Sequence, residues 1–510
     1  MAKLENGRIS GTLDYYGSQF ETLERIRAKI LGTFTSFGYV PAELPILQAA
    51  DIFLERSGEE LRRRLYVFND PSGRERCLRP EFTIPTCRFF LQMPPLPNVV
   101  TRLSYYGSAF RYESPGKGRY RQFLQAGVEC LGATEAEAAD AEIVGLAAQC
   151  MREVGIEQWR VQIGDLRLVY AFLDGIPIPE RWRTRLKRHF WRSQTFRKLL
   201  ESLPGESTEW SESGASPPSY HTLRDTLALL GPERARSVVE ETLALIDVHH
   251  IGGRKAEEIV ARFVEQVSRQ FEEPVSSEIL GLVEAFLLHK GEPTSCLERI
   301  QKFARSAGVA LDPILDRFAR RLRILEAYGV RSDNMELDVA FRRGIAYYTS
   351  FIFEFHSALL GEASQLCGGG RYDSLLRQLG ATMDIPAVGF AFGVDRLLLA
   401  LSSQEQKQQH TPSPPVHAVI VTVGNVDVAL SARVAQTLRH GGWQVRLEMA
   451  SHRPKRVIQR ANREGIPYVV FVGEEETTRG CVRIKHLVQH QEYEVALERL
   501  HTFVSENSSA

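Results

Sequence analysis

Apolar residues recur in steps of three and four at Phe20, Leu23, Ile26, Ile30 and Phe34, which predicts a helix over residues 14–37. Gly38 stands where that helix should end. Shorter apolar runs follow, and Asn98–Leu103, Phe123–Leu131 and Arg160–Ile163 are predicted strands. Between them, Ile143, Val144, Ala147, Cys150, Met151 and Val154 mark Asp140–Val154 as an amphipathic helix. From about 168 to 330 helical periodicity dominates, broken by the polar, Ser/Gly/Pro-rich stretch Pro204–Ser219. Strand-like sequence returns at 335–356 and runs through 400. Beyond a Gln-, Ser- and Pro-rich stretch, strands are predicted at Ala418–Val423, Trp443–Glu448, Tyr468–Val472 and Val482–Ile484. They alternate with helices near 426–440 and 453–464.

This order predicts an α/β (α+β) chain. Residues 1–167 and 333–401 form one mixed domain, interrupted by a helical insertion at 168–332. Residues 402–415 are a linker, and 416–510 form a small α/β domain. The length of 510 residues, 43% hydrophobic and 25% charged, fits such a multidomain globular protein. Lys plus Arg equals Asp plus Glu at 63 each, which argues against nonspecific nucleic-acid binding. A local patch stays open: Arg453, Lys455, Arg456, Arg460 and Arg463 fall within about three helical turns, which fits RNA contact or a solvated face. The seven cysteines form no CxxC pair, pointing to reduced thiols in the cytosol. His249, His250 and His452 lack partners at metal-ligand spacing, so no metal site is expected. With no membrane-length apolar run and no apolar signal core in MAKLENGRIS, the expectation is a cytoplasmic protein with no membrane partner.

Four segments carry candidate chemistry. In Leu78–Thr83, read as a strand, Glu81 and Thr83 share a face and could receive an ammonium, or close a salt-bridged strand end. Phe110–Glu113 and Arg121–Glu129 read as two strands around the loop Ser114–Tyr120. Arg111 is a fixed cation there, Gln125 and Glu129 share a face, and Lys117, Arg119 and Arg121 suit a polyphosphate or an RNA end. In Arg342–Thr349, Arg343 is the candidate cation; Tyr347 and Tyr348, if on a strand, face opposite sides. Finally, Cys367–Asp373 carries a Gly triplet, a weak phosphate-loop signal, and is followed by Gly389–Arg396.

Taken in order, these segments resemble motif 2, the two histidine-specific signatures and motif 3 of class II histidyl-tRNA synthetases. The resemblance covers 15–165 and 335–400, and Ala461–Glu475 is similar to that family's anticodon-binding domain. It implies a class II synthetase-like antiparallel sheet with helices, a small anticodon-binding-like C-terminal domain, and a homodimer joined partly around Gly38–Pro45. It also implies an L-histidine site of Glu81, Thr83, Arg111, Gln125, Glu129, Arg343, Tyr347 and Tyr348. In a ligase, Arg343 would be the catalytic cation, Arg111, Arg121 and Arg396 would bind ATP, supplied with Mg2+, and tRNA-His would be the partner.

A second branch of the family is the regulatory subunit of ATP phosphoribosyltransferase, which pairs with a short-form catalytic subunit in histidine biosynthesis. Phe53–Tyr66, Arg79–Arg88 with Phe82, Gly164–Leu186 and Ile251–Gln266 resemble that branch, and Ala346 and Asp395 stand where ligases usually carry an acidic residue and Glu. That branch implies histidine sensing with no permanently bound cofactor. The Lys117–Arg121 loop and the C-terminal domain resemble the ligase. The sequence favours the regulatory branch, with the histidine–tRNA ligase as the alternative.

Overall fold

The computed structural model describes residues 8–54, 63–94, 99–202, 275–408, 416–424, 426–449 and 453–507, with isolated residues between 234 and 255. Pro204–Ser219, most of Ile251–Gln266, residues 409–415 of the linker, His249 and His452 lie outside the described residues. Residues 1–13 with 26–400 form one compact unit, and 14–25 with 401–510 a second.

The larger unit is built on nine strands. In chain order they are β1 (Val40–Pro41), β2 (Thr101–Phe110), β3 (Gln122–Leu131), β4 (Arg160–Asp165), β5 (Lys290–Gly291), β6 (Met335–Asp338), β7 (Phe351–His356), β8 (Gln365–Arg371) and β9 (Ala387–Gly393). Their order across the sheet is β1-β2-β3-β9-β8-β7-β4-β6-β5. Pairing is antiparallel except for β1 with β2 and β4 with β6. The chain rejoins this sheet at Lys290, inside the stretch read as an insertion.

The first helix, Ser18–Ser36, follows its periodicity: Ile26, Ile30 and Phe34 are buried, and Phe20 is exposed. Gly38 at φ +80 provides the left-handed exit. The helix Ala136–Val154 follows the amphipathic reading: Ile143, Val144, Ala147, Cys150, Met151 and Val154 are buried, while Ala138, Arg152 and Glu153 are exposed. Its Asp140 is fully buried and accepts from Arg321 of helix Asp312–Ala327 and from Arg371 of β8. Asp140 thus forms an ionic seam between core elements on the buried side of the helix.

A glycine in β2 makes room for larger groups. A Cβ at Gly107 of β2 would lie 2.7 Å from Arg79 Nη2 and 3.1 Å from Phe82 Cζ. Those side chains are layered, with the Arg79 guanidinium 3.9 Å from the Phe82 ring centre. Phe82 in turn stacks on Tyr105 at 4.5 Å and 4°. Gly107→Ala is expected to cost about 1–3 kcal/mol in urea unfolding, since backbone and two packed side chains must move. An unchanged midpoint would show that the layer has slack.

The smaller unit has a five-stranded sheet: β10 (Ala418–Val423), β11 (Val445–Leu447), β12 (Tyr468–Gly473), β13 (Cys481–His486) and β14 (Gln491–Ala496), in the order β11-β10-β12-β13-β14. The first three are parallel and the last two antiparallel. Both faces are buried, as expected for parallel strands. Ile420, Val470 and Val482 meet Val434 and Leu438 of helix Val428–His440, while Val419, Val421 and Phe471 meet Val457 and Ala461 of helix Pro454–Arg463. The sequence pattern missed β14 and the helix Leu500–Asn507; β14 is an edge strand with mostly exposed residues. On Pro454–Arg463, Arg460 is engaged by Glu448 and Glu464, while Arg453, Lys455, Arg456 and Arg463 are exposed. No described helix is long and apolar enough to cross a membrane.

Candidate functional site

A cavity of about 280 Å³ opens where β2, β3, β9 and β8 meet the segment 343–348. Of the residues singled out in the sequence, Glu81, Thr83, Arg111, Gln125, Arg343, Tyr347, Tyr348 and Arg396 line it.

Glu81 arrives there differently from the strand reading. The strand ends at Leu78, and a helix, Thr83–Gln92, begins at Thr83. The Glu81 carboxylate accepts the Thr83 and Ile84 N–H groups at 2.5 and 2.9 Å, so it sits at the positive end of that helix. Proline at 80 and the cap chemistry displace strand alternation as the reason the two residues are neighbours. Burial pushes the Glu81 carboxyl upward, against the pull of those N–H groups and Arg111.

Tyr347 and Tyr348 also depart from the strand reading. They lie in a turn, 5.0 Å apart between ring centres, and both reach the cavity. A turn frees neighbours from alternation, so the restriction to one tyrosine does not hold. Tyr348 OH accepts from Arg343 Nη1 at 3.0 Å, and Arg343 Nε is 3.0 Å from Glu354 Oε1. The Gly triplet is part of β8, not a phosphate loop: Gly368 leaves the space that the Arg343 guanidinium fills.

Gln125, on β3, is nearly buried, and its Oε1 has no hydrogen-bond partner among the described residues. A buried acceptor in that state is suited to a ligand donor. Arg111 donates to the Pro80 carbonyl at 3.0 Å and lies over the Phe123 ring. Arg396 donates to the Gly118 carbonyl at 2.8 Å and to Gln365, tying the Ser114–Tyr120 loop to the sheet. Arg119 of that loop lines the cavity. Arg121 is not brought there: its Nε donates to the Glu113 carbonyl at 3.3 Å and its guanidinium lies over Tyr112. Arg121 precedes β3, and these contacts with Glu113 and Tyr112 hold it outside the cavity.

Glu129 lies in the wall, fully buried, with its carboxylate against Gly389 and held by Tyr105 and Tyr372 hydroxyls. Burial pushes its carboxyl up to about 8. The folded protein therefore keeps a proton that the unfolded chain releases near the ordinary value of 4.5. Stability contributed by that proton is complete below 4.5 and is lost as pH rises to about 8. Glu129→Gln is expected to flatten this slope, on the order of 4 kcal/mol across the window. Urea midpoints at pH 5 and 8.5 check it, and parallel slopes for both proteins would refute it.

Sequence reasoning missed Tyr105, Tyr372, Glu354 and Gln365, all of which line the cavity. The readable signal for Glu354 was a lone acid in the apolar run Phe351–His356. No described group of His, Cys, Asp and Glu could hold a metal ion. The arrangement sets fixed cations and buried carboxylates around a small space, which is what binds an amino-acid zwitterion.

The family model for histidyl-tRNA synthetase matches residues 11–203 and 254–397. The chain belongs to the histidyl-tRNA synthetase family. The anticodon binding domain model matches residues 417–507. Both branches foreseen from the sequence are among its relatives. The ATP phosphoribosyltransferase regulatory subunit of Brucella anthropi is 31% identical over 373 residues, covering 71% of this chain and 93% of that protein. The histidine–tRNA ligase of Methanocaldococcus jannaschii is 26% identical over 493 residues, covering 97% and 98%. The histidyl-tRNA synthetase structure from Nostoc shares the fold, with a TM-score of 0.64 at 17% identity over 98% of each chain.

Proposed function

We propose that this chain is a regulatory subunit of ATP phosphoribosyltransferase that binds free histidine in the cavity and conveys its presence to a short-form catalytic subunit. The observation that carries this reading is the higher identity to regulatory subunits, 31% against 26% for the ligase, in a chain whose cavity is lined by Arg343, Arg111 and Glu81. Glu81, Thr83, Gln125, Tyr347 and Tyr348 would contact histidine, Arg343 its carboxylate, and Glu129, behind the pocket, would orient Tyr105 and Tyr372 that line it. The test mixes the chain with its cognate short catalytic subunit. A complex on gel filtration, phosphoribosyl transfer dependent on this chain, and suppression by histidine are expected; absence of a complex overturns the reading.

A second reading, histidine–tRNA ligase, is favoured by the 97% span of the ligase alignment, which takes in the anticodon-type domain. Arg111, Arg119 and Arg396 would suit ATP phosphates, with Mg2+ offsetting their charge, and Arg343 would be the catalytic cation. That reading requires histidine-dependent pyrophosphate–ATP exchange, and an exchange rate at background rejects it. A homodimer is part of either reading. Val40 of edge strand β1 is exposed, and so are Leu47, Val67 and Phe68 of a separate three-stranded sheet (Leu47–Ala49, Glu75–Leu78, Val67–Asn69); these offer an apolar contact. Sedimentation equilibrium reads the dimer directly.

A further inference from the structure

Arg342 and Arg343 are adjacent, yet they are held by different parts of the larger unit. Arg343 is fixed in the cavity wall by Tyr348 and Glu354. Arg342 points to the helices Glu180–His189 and Ser193–Ser202. Its guanidinium lies 5.0 Å from the ring centres of both Phe190 and Phe196, and its Nη1 donates to the Phe190 carbonyl at 3.1 Å. The two rings meet edge to face at 5.2 Å, and Tyr170 braces Phe190 at 6.2 Å. A cation between two aromatic rings, with a carbonyl accepting its proton, is a specific clamp.

The backbone between these anchors is irregular from Ala340 to Thr349 and belongs to no strand. Among the described residues its backbone N–H groups are tied at its ends, Ala340 and Phe341 to Asp338 and Thr349 to the Arg371 carbonyl, with a local turn from Ile345 to Arg343. Side-chain anchors therefore decide where the segment sits. One peptide unit, about 3.8 Å between Cα atoms, separates the cavity cation from the clamp.

We propose that Arg342 is a positioning residue that ties the cavity cation Arg343 to these two helices, making cavity occupancy and helix packing one coupled equilibrium. Coupling of this kind is reciprocal: whatever a carboxylate at Arg343 does to the helices, helix packing does to carboxylate affinity. Histidine as the ligand rests on the function proposed above, whereas the coupling itself does not.

The experiment measures amide hydrogen exchange over residues 180–202 in the full chain. Arg343→Gln, without ligand, is expected to speed exchange there by about fivefold or more. In an Arg342→Met background the same change should have no effect on these amides, and Arg342→Lys should restore it. If Arg342→Met does not fold, Phe196→Leu removes one ring of the clamp and serves the same comparison. Added histidine should slow exchange over 180–202 in the wild type, and should bind Arg342→Met about fivefold or more weakly. Unchanged exchange in Arg343→Gln, or an equal change in both backgrounds, overturns the coupling. Faster exchange in Arg343→Gln from a wild type that binds no histidine sustains the coupling and refutes the histidine reading.

Discussion

Asp140→Asn is expected to destabilise the larger unit by about 3–5 kcal/mol, the range for breaking a buried ion pair by removing one partner. Both Asp140 oxygens are committed: Oδ2 accepts Arg321 Nε and Nη2 at 3.0 and 2.8 Å, and Oδ1 accepts Arg371 Nε at 2.8 Å. Asp140 and Arg321 are fully buried, and Arg371 is nearly so. A neutral side chain leaves two guanidinium groups facing each other in the core. Asp165 at 3.8 Å from Arg321 and Asp373 at 3.0 Å from Arg371 compensate only in part. Arg321→Met should cost less, because Arg371 and Asp140 stay paired. Urea unfolding, monitored on the larger unit's transition, gives both values. A loss below about 1 kcal/mol for Asp140→Asn would mean that water reaches the seam.

Arg343→Gln is expected to weaken histidine binding by about 100-fold, from the cost of truncating one partner of a buried charge pair. The change removes the cation offered to the ligand carboxylate. Among the described residues it leaves Glu354 with Gln365 at 2.9 Å and His356 at 3.3 Å. Glu354 then faces the space where Arg343 had attracted a carboxylate, although Arg111 and Arg396 remain in the cavity. Titration calorimetry on the full chain reads the affinity, and a change of less than threefold would remove Arg343 from the binding site. Under the ligase reading the same variant would also lose pyrophosphate exchange.

Much of the architecture was legible because local patterns and tertiary demands agreed. The helix ending at Gly38, the strands Ala418–Val423 and Tyr468–Gly473, and the change of texture after 400 all follow from periodicity and turn chemistry. Misreadings arose where tertiary contacts override pattern. The pattern gave no role to Asp140 on helix Ala136–Val154, whose partners are two buried arginines from distant segments. Phe82 stood out as a large residue where ligases carry a small one; its place between Arg79 and Tyr105 depends on Gly107, 25 residues later in the chain.

The candidate site divides the same way. Sequence alone determined the types of groups, since Glu81, Thr83, Gln125, Arg111, Arg343 and Arg396 occur in recognisable segments. Tertiary structure decided which of them share a space. It turned Arg121 away, put both tyrosines in the cavity, placed Glu129 behind the wall and added Tyr105, Tyr372 and Glu354. The physical reason is that side-chain direction follows from backbone conformation, and here that conformation is set by a helix cap, a turn and a glycine row. The cap and the turn are local, but which groups they bring into one space depends on strands far away in the chain, which one-dimensional spacing does not encode.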